Sequence, residues 1–103
     1  MAITSYDPQD FNLQTKALEQ QSCDLAVSRA IKLVEDKTSV MVHRESRKIC
    51  NEAFKTFEKN IQAAFPYDDY KDLILVTLKS RERLFFIDLK NRVISILSNS
   101  GQA

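Results

Sequence analysis

At 103 residues, with 44% hydrophobic and 28% charged side chains, the chain has the size and composition of one globular domain and is not disordered throughout. Fifteen Lys and Arg against 14 Asp and Glu leave a formal net charge of +1, so no overall field announces a nucleic-acid or membrane surface. No apolar run approaches the roughly 20 residues that span a bilayer, the start MAITSYDPQD has no basic stretch followed by an apolar core, and two cysteines in that setting point to free thiols in the cytoplasm.

A first helix is expected over residues 7–36. Asp7 can accept hydrogen bonds from its first amides, Pro8 suits the first helical position, and Tyr6 and Phe11 stand where a hydrophobic staple places them. Asp10 favours the positive end of the helix dipole. Cys23, Ala26, Val27, Ala30, Ile31 and Val34 recur at steps of three and four, which makes one apolar face, with Phe11, Leu18 and Leu25 on a neighbouring stripe.

Thr38 or Ser39 can cap a second helix over residues 39–65, whose stripe is Val42, Ile49, Cys50, Ala53, Phe57, Ile61 and Ala64 with Phe54 beside it. Pro66 stops it, since proline brings no amide donor and disfavours helical geometry in the residue before it. A short link between two long helices predicts an antiparallel hairpin. The segment FPYDDYKD then reads as a solvated turn.

Residues 73–97 hold three apolar runs, LILVTL, LFFIDL and RVISIL, dense in β-branched and aromatic residues. We read them as a three-stranded antiparallel meander packed on the two helices, a two-layer α+β domain of order ααβββ, with 98–103 as a tail. The alternative is an all-α helical bundle. A single glycine, Gly101, in the whole chain argues against hairpins, whereas the helical wheel scatters the apolar residues of 70–97. With turns at Lys90–Asn91 and Ser80–Arg83, the residues Ile74, Val76, Leu78, Phe85, Ile87, Leu89, Ile94 and Ile96 share one apolar face, which belongs against the helices.

The opposite face keeps Leu73, Leu75, Leu84, Phe86, Val93 and Leu97 among polar residues. Each such side chain is worth on the order of 1.5–3 kcal/mol when buried, so this face is expected to be covered by a partner chain, in a homodimer or a hetero-complex.

Chemistry-bearing motifs are sparse. No phosphate-cradling glycine loop, CxxC or HExxH occurs, and His43, the sole histidine, lies seven positions and about 10.5 Å before Cys50 on the same predicted helix. Cys23 and Cys50 are expected as two small core residues rather than a disulfide or a metal site. No catalytic residue, metal or cofactor is expected. The reading is a non-enzymatic interaction module acting as adaptor, inhibitor or regulatory subunit. The alternative is a nucleic-acid-binding regulator that uses Arg44, Arg47 and Lys48 on the second helix with Lys79, Arg81 and Arg83 around the first β-turn.

Overall fold

Pro8 opens a 28-residue helix, α1 (Pro8–Glu35), with Asp10 in its first turn as the dipole favours. The computed structural model describes residues 8–100; the expected cap Asp7, the staple residue Tyr6 and Gly101 lie outside them. α1 ends in a Schellman motif: Lys37 N–H donates to the Val34 carbonyl and Thr38 N–H to the Leu33 carbonyl, both at 3.0 Å. That closure forces Lys37 to φ 56°, the left-handed region where glycine is usual.

α2 (Val42–Ala64) begins later than expected. Neither Thr38 nor Ser39 caps it; the capping position is Met41, whose side chain makes no cap hydrogen bond. Its buried residues Ile49, Cys50, Ala53, Phe57 and Ile61 follow the predicted stripe, joined by Ser46. α1 departs further from expectation. Its inward line is Phe11, Thr15, Ser22, Ala26 and Ala30, while Leu25 and Ile31 are exposed. Small residues at the contact let two helix backbones approach closely, and the hydroxyls of Thr15, Ser22 and Ser46 are buried there without a hydrogen-bond partner.

The segment after α2 is solvated over residues 66–69 as expected, but it is anchored at both ends of that stretch. Phe65 and Tyr70 are buried and meet Phe11 with ring centroids 4.7 and 5.6 Å away, so the start of α1 and the end of α2 are tied at one pole. A 3₁₀ turn (Asp68–Tyr70) leads into α3 (Lys71–Ser80).

Residues 73–97 form no meander, and no strand occurs among the described residues. The ααβββ reading is overturned: after a turn at Arg81 the chain is helical again, through a π turn (Leu84–Asp88) into α4 (Leu89–Ser100). Leu89 N–H donates to the Leu84 carbonyl five residues back, the mark of a π turn. The physical reason lies in the spacing of the buried residues Phe85, Leu89, Val93 and Leu97. Each four-residue step overshoots a 3.6-residue turn by about 40°, so Leu89, Val93 and Leu97 stay within about 80° on one face of α4, and the π turn brings Phe85 into line with them. The break at Arg81 and the wider π turn reset that phase. An unbroken wheel cannot show this.

The result is a three-helix bundle whose third arm is α3 and α4 in succession, α4 packing on both α1 and α2. One hydrophobic cluster joins all three arms, and the shape is long, with principal extents of 59 × 21 × 17 Å.

Replacing Lys37 with glycine removes a left-handed cost of roughly 1–2 kcal/mol and adds unfolded-state freedom of roughly 0.4–1 kcal/mol. Lys37→Gly is therefore expected to raise the melting temperature by up to a few degrees in a thermal unfolding scan; a lowered value would contradict the cap geometry.

Candidate interaction surface

α3, KDLILVTLKS, is apolar over more of its circumference than one contact covers. Ile74, Thr77 and Leu78 turn inward, while Leu75 and Val76 stay 58% and 65% exposed. Asp72, Leu75, Val76 and Lys79 stand at i, i+3, i+4 and i+7, which makes a single diamond on the outer side of the helix. Asp72 and Lys79 are exposed and have no ion pair among the described residues.

Two shallow hollows meet on this face. One, about 410 Å³, is floored by Leu75, Val76, Lys79 and Ser80. The other, about 290 Å³, is lined by Phe65, Pro66, Tyr67 and Leu75 among others. The helix carrying them is held at its far end, where Arg81 Nε donates to Glu19 Oε1 of α1 at 2.5 Å.

Of the six residues expected to meet a partner, Val93 and Leu97 are buried in the core, and Leu73, Leu84 and Phe86 are half-buried against it. Their cover is the chain itself, through α1 and α2; Phe86 lies 5.0 Å from Phe54, centroid to centroid. Leu75 alone is exposed. Of the face assigned to the interior, Ile74, Leu78, Phe85 and Leu89 are buried, Ile94 and Ile96 half-buried, and Val76 and Ile87 exposed. The reading missed Val76, Tyr67, Asp72 and Lys79 as one surface. The signal was the spacing D-x-x-L-V-x-x-K, legible only on a helix.

The cations divide differently from expectation. Arg81 is committed to Glu19, Lys79 belongs to the α3 diamond, and Arg83 is exposed just beyond the turn. Phe85 packs on Phe54 and Phe57, so the chain just after this group meets the middle of α2, whereas Arg44, Arg47 and Lys48 lie in its first two turns. The structure does not unite the two clusters. Instead Arg44, Arg47 and Lys48 continue into Lys55 and Lys59, five exposed cations along one side of α2 over about 22 Å. None has an ion pair among the described residues, and no large apolar side chain of α2 is exposed there. Two acids without an ion pair among the described residues, Glu45 beside Arg44 and Glu58 beside Lys59, interrupt the strip, while Glu52 is turned to Arg29 of α1.

Cys50 is buried, Cys23 half-buried, and both are free thiols. Burial pushes the Cys50 thiol up to about 11, partly offset by Lys90. Burial also raises Cys23, with Glu19 and Asp24 adding to it and Arg92 opposing. Nucleophilic chemistry needs the thiolate, which these surroundings disfavour. His43 is exposed. Among the described residues no group of three His, Cys, Asp or Glu side chains is placed to hold a metal ion, and no helix is long and apolar enough to cross a membrane. No protein-family model, curated protein or solved structure matches the chain.

At neutral pH a thiol titrating near 11 rather than 9.0 carries about 100-fold less thiolate. In a Cys23→Ser variant, Ellman's reagent is expected to modify folded Cys50 at least that much more slowly than the unfolded chain, and equal rates would refute the buried placement. Because the folded value is the raised one, the stability this thiol contributes is complete below pH 9.0 and is lost as pH rises through about 11. The loss over that window should shrink in Cys50→Ser.

Proposed function

We propose that the chain is a small non-enzymatic interaction module, an adaptor, inhibitor or regulatory subunit, that binds a protein partner through the outer face of α3. The observation that carries this is the pair Leu75 and Val76, well exposed on a helix whose two ends are fixed. Leu75 and Val76 share a shallow hollow with Lys79 and Ser80, and Asp72 and Lys79 stand one step before and after them along the helix, so the face offers apolar surface that loses water on contact together with charges that orient the partner. Mechanism here means association. The proposed compartment is the cytoplasm, on the ground of two free cysteines.

A photoreactive phenylalanine analogue in place of Val76 is expected to give covalent protein adducts in the native cell, and the same analogue in place of Ser95 to give none. Adducts at neither position, or equally at both, would remove α3 as the docking face.

A second reading rests on α2. Its five unpaired cations include Arg44 in the first turn, the positive end of the helix dipole, where a cation is disfavoured by roughly 0.3–1 kcal/mol, with Arg47 and Lys48 in the turn after it. A phosphate placed there would relieve that repulsion, and a strip without exposed apolar residues suits a nucleic-acid backbone better than a protein hot spot. Five phosphate contacts predict an affinity for duplex DNA that falls with a log–log salt slope of roughly −4.5. Arg44→Ala with Arg47→Ala should flatten that slope by nearly two units; a gel shift absent at low salt, or untouched by the pair, would exclude the reading.

A further inference from the structure

The four residues of the α3 diamond have a symmetry that fixes what fits against them. Along the helix axis, Asp72 and Lys79 lie at equal distances on either side of the midpoint between Leu75 and Val76, about 5 Å each way. By angular position Asp72 and Lys79 run down the centre of the exposed face, with Leu75 on one flank and Val76 on the other. An antiparallel copy of the same helix, related by a two-fold axis through that midpoint, therefore brings each negative charge against a positive one. Asp72 meets the partner's Lys79, Lys79 meets the partner's Asp72, and the leucines and valines meet across the axis in two like pairs. A two-fold interface must be self-complementary, and four residues satisfy this without rearrangement.

From this complementarity we infer that α3 is a homodimerisation helix, and that the second copy of this chain packs on it antiparallel with the two Asp72–Lys79 pairs bracketing Leu75 and Val76. The inference rests on reading the α3 face as the docking surface, and adds which partner occupies it and in which register. Three further observations support it. Asp72 and Lys79 have no ion pair among the described residues, so neither has to give up a partner. The apolar pair is exposed rather than shared with the core. The hollow beside it opens on Leu75, Val76 and Lys79, the residues the copy would cover. A parallel copy would oppose Asp72 with Asp72 and Lys79 with Lys79, so charge selects the antiparallel arrangement. A ten-residue helix offers a small contact, below the roughly 1,200 Å² of a standard interface, so the dimer is weak and concentration-dependent.

Sedimentation equilibrium of the full chain, from low micromolar to several hundred micromolar, reads this directly. The wild-type mass is expected to rise with concentration toward twice the monomer. Asp72→Lys alone, which sets Lys against Lys, and Lys79→Asp alone, which sets Asp against Asp, are each expected to stay monomeric, with dissociation constants at least tenfold weaker. Mixing the two variants restores both pairs, so the equimolar mixture should again sediment as a dimer. Should either charge variant lose its helical circular dichroism signal, Val76→Cys takes its place. The two introduced thiols face each other across the axis and should oxidise to a covalent dimer much faster than Ser95→Cys. A wild type monomeric at every concentration, single variants that associate like the wild type, or a mixture no heavier than its parts would each overturn the dimer. If the position-76 probe then captured a different protein, only the identity of the partner would have failed; if it captured nothing, the docking face would have failed as well.

Discussion

Phe85 is the residue on which the bundle turns. It is fully buried, 5.3 Å by ring centroid from both Phe54 and Phe57, and it sits on the π turn where the third arm changes phase. Aromatic side chains carry the largest apolar areas a small core can bury, and an edge-to-face arrangement such as Phe54 with Phe85 adds electrostatic attraction between rings. Once Phe85 is seated, Leu89, Val93 and Leu97 follow at four-residue intervals into the groove between α1 and α2. The π turn fits this seat. A helical residue inserted there lets the stripe face the core despite a period longer than 3.6.

Two other ties set the arm's position lengthwise. Phe11, Phe65 and Tyr70 close one pole, and Arg81 reaches across to Glu19 at the break between α3 and α4. These anchors leave α3 short and fixed, with its inner side used by Ile74, Thr77 and Leu78 and its outer side bare. The surface that results has two characters on different helices. α3 presents an apolar pair between opposite charges, whereas α2 presents a cationic strip with no large apolar side chain. That separation is why the two functional readings make independent demands on the molecule.

The first two helices were legible in the residue spacing because their apolar residues recur close to 3.6 and their ends carry proline signals. Even so, α1 uses Thr15 and Ser22 in its inward line and leaves Leu25 and Ile31 exposed. Hydrophobicity misleads there, because close helix packing selects for small size. The last third misled for a different reason. Its runs of Leu, Ile, Val and Phe have strand-like composition, and two interruptions spoil the helical period that would have corrected the reading. The shortage of glycine was the sounder guide: the helical chain needs positive φ only at Lys37 among the described residues, whereas tight hairpins would have needed more such positions.

The site was legible only in part. Leu75 was named from the sequence, but with companions that the fold buries, and its surface neighbour Val76 was assigned to the interior. Sequence by itself determined the two long helices, the inward stripe of the second, the stop at Pro66, and the presence of more apolar side chains in residues 73–97 than solvent tolerates. Tertiary structure decided how those side chains divide. A side chain's partner depends on the phase of its helix relative to two others, and that phase was set by the seat of Phe85 and the break at Arg81, contacts between residues far apart in the chain.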